Sequence, residues 1–446
     1  ERFRRQRQMC IRDSYTAGGF VNADPSITGV DFKVLGNEFV PRAGQAYNYN
    51  PTNFFQRPDD RFNSGFFGKY EVSDNAEVYV DMTYMKSESN AQIAYSGTFG
   101  NITSLPCYNA FLSEQQYNAA CGDWTGMGGD HAPDFASGAA ALAYLANLDL
   151  AVGDGSILGY KAPLYSLKRN VEGNPRQSIF AYKSFTQTVG VRGDINDNWS
   201  YDAYYQTSNV VYNNEYRNDL SVTAINRAVD VVSVNGVPTC VSALNGTDST
   251  CVPYNLFQGG LPGDQGIQGV IDGGQELQSY IANSTYINGD GEQTTFTAYV
   301  TGDTGYSIPG APGNVSVVAG FESRELSSDF RPDLPSRTGD RSGSGGATLP
   351  LGGTYDVDEF FVELGIPVTD TVSMDAGFRS ADYSTGNDTT AMKLGAFWTV
   401  NDKVSVRGSF QTSQRHANLA ELYQGIGQGL VCLLYTSPSP RDSLES

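Results

Sequence analysis

The chain has 446 residues, a net charge of −20 and only 17% charged residues, against roughly 25% in a typical soluble domain. It is rich in glycine (50), tyrosine (27) and phenylalanine (23). Such acidity excludes most nucleic-acid binders, because phosphate backbones repel negative charge. The aromatic content argues against a disordered chain, and no apolar run reaches the ~18 residues of a transmembrane helix. The composition therefore indicates a large β-rich protein, either secreted or a membrane barrel.

The two ends of the chain resemble translated sequencing adapter rather than natural protein. Residues Met9 to Asp13 can be encoded by a DNA string whose reverse complement encodes Cys432 to Thr436. Natural chain ends have no physical reason to be complementary, and no apolar segment follows the N-terminal arginines as it would in a signal peptide. We therefore expect residues 1–14 and 432–446 to be adapter-derived, and residues 15–431 to be an internal fragment of a longer protein.

Alternation of apolar and polar residues is the main structural signal, and it recurs along the chain. In residues 77–84, for example, every even residue is apolar. The alternating stretches are about 10 residues long, close to the ~9–11 residues that cross a bilayer at a tilt. Ten strands in five hairpins are predicted, at about 62–72/76–85, 182–194/198–211, 293–304/315–327, 355–367/371–382 and 389–400/403–413.

The connections between the predicted strands alternate in length. Those within hairpins are short, such as Asn196-Asp197. Those between hairpins are long, at about 87–180, 212–292 and 328–354, with 383–388 as a short exception. An Ala-rich helix is predicted inside the first, from Gly138 to Val152. Outer-membrane barrels have short periplasmic turns and long extracellular loops, and structureless loops of this length are uncommon in compact domains. The pattern predicts an all-β, antiparallel transmembrane β-barrel, present in part.

Aromatic residues near the ends of the predicted strands fit the same barrel. Tyrosine and tryptophan are enriched at both membrane–water interfaces, where they form girdles. Any single one of these aromatics is better explained by an ordinary protein core, so only the collective spacing favours the membrane. The residues in question are Phe62, Tyr70, Tyr84, Trp199, Tyr201 and Trp398.

Four cysteines remain once the adapter-like ends are set aside: Cys107, Cys121, Cys240 and Cys251. Four cysteines allow three connectivities. The close spacings favour two local disulfides, Cys107–Cys121 and Cys240–Cys251, formed in an oxidising compartment. A zinc site is the rival interpretation, but thiolate zinc sites usually contain tight C-x₂₋₄-C pairs, and these pairs are 14 and 11 residues apart.

The polar positions of the alternating strands are expected to line a water-filled interior. Arg192, in an Arg-Gly-Asp tripeptide at a strand end, is interpreted as structural, and loops rich in Tyr, Asn and Gln are suited to a neutral ligand such as a glycan. The two histidines lie far apart in sequence, so metal-dependent or triad catalysis is not expected, and neither an enzyme activity nor a cofactor is predicted. The predicted lumen-facing residues are Glu77, Asp81, Arg192, Asp202 and Asp375.

Several stretches resemble the TonB-dependent outer-membrane receptor family. They include residues 53–62, 168–173, 190–195 and 199–206. The most specific stretch is similar to the family segment R-A-P-N-hydrophobic-x-E-L-aromatic, which follows a late barrel strand, and it departs from it at two positions, His416 and Ala417. It reads Arg415-His416-Ala417-Asn418-Leu419-Ala420-Glu421-Leu422-Tyr423.

The resemblance covers most of residues 50–425, and it implies a barrel of 22 strands that an N-terminal plug closes. It also implies import of a scarce ligand of the siderophore, vitamin or glycan class. The implied partners are outer-membrane lipid, the small ligand and the TonB complex, which would be reached through a missing N-terminal region. The implied location is the outer membrane of a Gram-negative bacterium, and Arg415, Asn418 and Glu421 are the family-motif residues.

Two other functions remain open on sequence grounds. A secreted or surface adhesin or lectin would bury its apolar faces in a protein core and would purify without detergent. A passive porin would share the barrel but would lack an upstream plug domain.

Overall fold

The computed structural model describes residues 19–22, 32–41, 50–121, 133–148, 161–258, 274–343, 346–386 and 388–424. The adapter-like ends, residues 1–14 and 432–446, lie outside these ranges. In the described ranges the strands are β1 (Gly19–Asn22), β2 (Phe32–Leu35), β3 (Glu38–Pro41), β4 (Asp59–Ser73), β5 (Ala76–Tyr95), β6 (Ser104–Pro106), β7 (Asp134–Phe135), β8 (Lys161–Leu167), β9 (Pro175–Asn196), β10 (Trp199–Leu220), β11 (Val231–Val234), β12 (Val237–Cys240), β13 (Ala282–Asp303), β14 (Ser316–Pro332), β15 (Leu351–Thr369), β16 (Val372–Tyr383), β17 (Thr389–Asn401) and β18 (Val404–Thr412).

The helices of the same ranges are short. They are α1 (Glu114–Cys121), α2 (Gly138–Leu145), α3 (Val222–Val229), α4 (Val241–Leu244), α5 (Gly274–Ile281), α6 (Leu334–Thr338) and α7 (Leu419–Tyr423), with a 3₁₀ turn at Asn50–Thr52. Within the described part of the chain, no helix has the length and apolar character that a membrane span requires.

Ten strands form one antiparallel sheet in the order β4-β5-β9-β10-β13-β14-β15-β16-β17-β18. Each of these strands pairs with the next of the ten along the chain, so the sheet is a meander of five hairpins. This confirms the all-β, antiparallel fold and the five predicted hairpins. In the described residues β4 and β18 pair on one side only, so both edges of the sheet are open.

The predicted strand length of about ten residues is wrong for most of the sheet. β9, β10 and β13 each contain 22 residues, and β5 contains 20. The prediction followed apolar alternation, which stops where the side chains become polar on both faces. Backbone pairing does not stop there, because ladder hydrogen bonds depend on the neighbouring strand and not on side-chain polarity. The paired region therefore extends into segments that were predicted as loops.

The five hairpin turns lie at one end of the sheet, which we call the turn end. Four of them are tight, and side-chain oxygens close them: Asn196 and Asn401 each accept the backbone N–H two residues on, at 2.9 Å. Such bonds explain why Asn and Asp occupy these turns. The fifth turn, 304–315, is longer, and Asp303 and Asn314 bond across it at 3.0 Å.

The long connections lie at the opposite end, and they are folded rather than structureless. They run over 96–174, 221–281 and 333–350, shorter than predicted because the strands extend. The predicted Ala-rich helix is present as α2, which ends at Leu145, and residues 149–152 of the prediction lie outside the described residues. The hydroxyl of Ser137 caps α2 by accepting from the backbone N–H of Ala140 at 3.2 Å. We call the described parts of the first two connections, 96–121, 133–148, 161–174, 221–258 and 274–281, the cap.

The cap contains the hydrophobic core of the described structure. Ile225 and Ala228 of α3 are fully buried against Ile281 of α5. Phe39 of β3 extends the same core, and its ring lies 6.4 Å from that of Phe257. Two smaller sheets belong to this region, β3-β2-β1-β8-β6 and β12-β11-β7, and only the β7–β11 pair is parallel. The ten-stranded sheet, by contrast, is a single layer.

Both pairs of cysteines expected from their spacing are joined within the cap. Cys107 bonds Cys121 with an S–S distance of 2.02 Å, and Cys240 bonds Cys251 at 2.18 Å. The first bridge ties α1 to the segment after β6, and the second ties the end of β12 to the segment after α4. Each closes a short loop, which restricts the unfolded cap, and Cys107 and Cys121 are buried within the cap core.

We expect Ile225→Ala to destabilise the cap by about 2–5 kcal/mol, because it empties a fully buried site. Val237→Ala is the matched control, because Val237 also lies in the cap and is 60% exposed. Hydrogen exchange resolved by peptide would show faster exchange throughout 96–121 and 221–258 in the first variant only. Faster exchange confined to α3 would contradict a single cooperative cap.

Candidate functional site

The side chains of the ten-stranded sheet separate into two chemically different faces. Successive residues of a strand point to opposite faces. The register places Glu77, Arg192 and Asp202 side by side on one face, which we call the polar face. The other face, on which Val78 opposes Val191, is called the apolar face.

Large apolar side chains stand exposed along the apolar face. Phe360, in the middle of the sheet, is 53% exposed, although both neighbouring strands flank it. All six aromatic residues predicted as girdle positions share this face, as their register partners show. The exposed side chains of this face include Phe66, Tyr70, Val78, Phe185, Val189, Tyr205, Phe296, Phe321, Phe360, Phe378, Leu394 and Phe410.

The residues predicted to face the lumen all lie on the polar face: Glu77, Asp81, Arg192, Asp202 and Asp375. Glu77 accepts two hydrogen bonds from Arg192, at 2.6 and 2.8 Å, and its other oxygen lies 3.0 Å from Nζ of Lys69. The hydroxyl of Tyr79 donates to Asp202 at 2.8 Å. The structure thus joins three of the five in one group near the turn end.

Gly190 allows the Tyr79 ring to reach that group. A Cβ at position 190 would lie 2.3 Å from Cζ of Tyr79, so only glycine fits under the ring. The Tyr79 ring crosses β9 above Gly190, and its hydroxyl reaches Asp202 of β10. The group lines an open cavity of about 650 Å³ together with Tyr299 and Thr301.

Asp375 belongs to a separate part of the polar face, where it lies 2.7 Å from Nζ of Lys393. Asp81 lies on the same strand and face as Glu77, four residues further from the turn. Neither contacts the group around Glu77. The five predicted residues therefore share an environment but do not form one site.

An ion-pair network that the sequence prediction missed crosses β14, β15 and β16. Glu359 is 4% exposed, and it accepts from Arg324 and from Arg379, each at 2.6 Å. Arg324 also lies 3.0 Å from Glu322. Each of these four residues alternates with apolar-face residues of its own strand, so all four lie on the polar face. This alternation is the sequence signal from which the network could have been predicted. Charges and hydroxyls in this arrangement can hold water and hydrogen-bond a polar solute, which is a property of a barrel lumen.

The family-motif residues Arg415, Asn418 and Glu421 form a single hydrogen-bonded unit. Arg415 donates to both carboxylate oxygens of Glu421, at 2.9 and 2.7 Å. Asn418 caps α7 reciprocally with Glu421, side chain to backbone in both directions at 2.9 Å. We call residues 414–424 the strap.

The strap folds back over the ends of β18, β17 and β16 to reach β15. The Tyr423 hydroxyl donates to the carbonyl of Thr354 at 2.7 Å. His416, which departs from the family motif, stacks on Tyr383 with ring centres 3.9 Å apart, and its Nε2 lies 2.7 Å from the hydroxyl of Thr385. The imidazole of His416 is thus accommodated by stacking on Tyr383, and this contact holds the strap against the sheet.

A buried carboxylate connects the cap to the sheet. Asp219, at the end of β10, is fully buried and accepts from the Ser96 hydroxyl at 2.5 Å and from the backbone N–H of Gly343 at 3.0 Å. Asn101 reaches the Ser342 hydroxyl at 2.6 Å. Segments of the first and third long connections therefore meet at one residue, Asp219.

Comparisons with known proteins find no matching family model and no matching curated protein. Among solved structures, the chain is similar to the ferric-catecholate import receptor Fiu of E. coli K12 in its closed form (TM-score 0.39, 10% identity, 86% of this chain and 45% of that one). It is also similar to the CymD monoaromatic hydrocarbon channel (0.28, 10%, 86% and 72%). A third is a mutant ferric enterobactin receptor of Pseudomonas aeruginosa (0.25, 8%, 88% and 49%). The chain spans less than half of the closed-form Fiu chain and of the enterobactin receptor, and similarity this low assigns no family.

Glu359→Gln should destabilise the sheet by roughly 1–3 kcal/mol, because the buried side chain loses its charge-assisted hydrogen bonds to Arg324 and Arg379. Glu363→Gln is the control, since Glu363 is exposed on the same face of the same strand. Denaturant unfolding in detergent, followed by far-UV circular dichroism, would measure the difference. Equal midpoints for the two variants would show that the network adds nothing to stability.

The strap should loosen in acid. Pairing with Arg415, followed by the backbone N–H of Asn418, lowers the pKa of Glu421 from 4.5 to about 2. A carboxyl with a lowered folded-state pKa stabilises above its unfolded pKa, and this contribution is lost as the pH falls from about 4.5 to about 2. Hydrogen exchange of residues 418–424, corrected for intrinsic rates, should therefore lose protection across that window. Glu421→Gln should show low protection at every pH, and a retained pH dependence in that variant would contradict the assignment.

Proposed function

We propose that this chain is barrel sequence of an outer-membrane transport receptor, located in the outer membrane of a Gram-negative bacterium. One observation carries the proposal: an antiparallel sheet with a continuous exposed apolar face opposite a charged, hydrogen-bonded face. An apolar surface of this extent is not stable in water. A lipid environment covers it, and the polar face then lines the interior.

The asymmetry of the two ends orients the sheet. The turn end faces the periplasm and the cap faces the exterior, as in known barrels. The disulfides of the cap agree with an oxidising, extracytoplasmic location. The open edges of β4 and β18 require further strands in lipid, because no water is available there to satisfy unpaired backbone groups; a barrel of 22 strands would supply them.

The transport mode is active import of a scarce ligand of the siderophore, vitamin or glycan class, with energy supplied by the TonB complex. Support comes from the strap, where Arg415, Asn418 and Glu421 of the family-like segment form one unit. Support also comes from the cap, which folds across the long-loop end of the sheet. A passive pore needs an open mouth, and a folded, disulfide-tied cap at this end does not suit one.

A secreted adhesin or lectin is the main alternative, and the apolar face argues against it. An adhesin would bury such residues under a second layer. The described cap instead packs a hydrophobic core of its own, and Phe360 and Phe378 of the sheet stay exposed.

A pair of arginine substitutions on adjacent residues of β15 tests the proposal. Val362 lies on the apolar face and Glu363 on the polar face. Val362→Arg should destabilise the membrane-inserted chain by about 2–4 kcal/mol, whereas Glu363→Arg should be tolerated, because only the first places a charge in lipid. Folding of the full chain into phosphatidylcholine vesicles, measured by urea titration and protease resistance, reports both. Equal tolerance of the two substitutions, or purification from buffer without detergent, would contradict the proposal.

A further inference from the structure

Two lysines stand directly opposite each other at the cap-side boundary of the apolar face. Lys86 of β5 pairs in register with Lys183 of β9, and both side chains are exposed. They share the parity of Tyr84 and Phe185, so both point away from the polar face. The chain contains only eight lysines, and two of them stand directly opposite each other on one face.

The pair has no intramolecular counter-charge in contact. Like charges directly opposite in an antiparallel sheet repel and destabilise it. Among the described residues, no hydrogen bond or ion pair within 4.0 Å involves either ammonium. Glu88 lies two residues further along β5, but it opposes Ala181 and forms no ion pair with the lysines. In a chain of net charge −20, an uncompensated cationic pair indicates an external anion.

The neighbours of the pair define what kind of anion fits. Towards the turn end the next cross-strand pair is Tyr84 opposite Phe185, and Phe62 opposes Lys86 on β4. Phe62 is 59% exposed and Phe185 43%. Towards the cap the next residues of this face are Glu88, which opposes Asp60 on β4, and Ala181 on β9. The two ammonium groups therefore stand where an apolar surface ends and a hydrated one begins.

We propose that Lys86 and Lys183 bind the phosphate of an outer-leaflet lipid whose acyl chains lie on Tyr84 and Phe185. This inference rests on the proposed membrane location. Two ammonium groups offer up to six N–H donors to phosphate oxygens, and charge-assisted bonds of this kind are stronger than neutral ones. Phosphate bound between the lysines neutralises their repulsion, and the apolar surface beneath selects an acylated phosphate over a soluble one.

The experiment uses the full chain in a non-ionic detergent, with lipid A as the probe and dephosphorylated lipid A as its partner. Binding is measured by native mass spectrometry. Each Lys→Gln change should weaken lipid A binding by about fivefold, and the double variant Lys86→Gln/Lys183→Gln by about twenty-fivefold, since each lysine near a charged lipid surface contributes ~1 kcal/mol. Lys403→Gln, at the turn end, is the matched control and should bind as the parent does.

Two results would overturn the inference. One is equal affinity of the parent and the double variant for lipid A; the other is equal affinity of the parent for lipid A and its dephosphorylated form. A circular dichroism spectrum confirms that each variant keeps its sheet. Equal tolerance of Val362→Arg and Glu363→Arg contradicts the membrane location itself, whereas equal lipid A affinities in a chain that passes that test contradict the lysine site alone.

Discussion

Register along nine antiparallel strand pairs is the constraint on which the rest of the structure depends. Side chains alternate with a period of two, so a slip of one residue in any pair would move every side chain beyond it to the wrong face. Tight Asn- and Asp-containing turns fix this register at one end. The ion pairs of Glu77 with Arg192 and of Glu359 with Arg324 and Arg379 hold it between the strands. A single ladder thereby produces an apolar face and a polar face from one layer.

The cap follows a different physical rule. The sheet is stabilised by its ladder and its surroundings, whereas the cap buries a core of its own around Ile225 and Ile281. Asp219 joins the two regions, because one carboxylate accepts from donors on two of the long connections. Such a buried acceptor is costly unless each donor stays in place. The connection therefore holds the cap in one position relative to the strands rather than on a flexible tether.

Alternation and turn chemistry were enough to predict the strands, their pairing order and the side on which Glu77 and Asp202 lie. They could not predict strand ends, because Asn213 and Asn288 pair in the ladder despite being polar. They also could not predict which residues of the polar face meet. Asp81 and Asp375 satisfy the same pattern as Glu77, and only the register separates them. The network of Glu359 was missed because its members come from three strands, and the cap core because a period of 3.6 over eight residues is a weak signal.

The length of β9, β10 and β13 has a consequence for where recognition takes place. Each has 22 residues, and about 9–11 are enough to cross a bilayer at a tilt of ~45°. In the proposed orientation the remaining residues extend the paired sheet about 25 Å beyond the hydrocarbon, at a rise of ~3.3 Å per residue along the tilted strands. In that orientation a solute that approaches from outside reaches the cap before the membrane-spanning part of the sheet. Exchange of cap sequence can thus alter what the surface recognises while the register below is left intact.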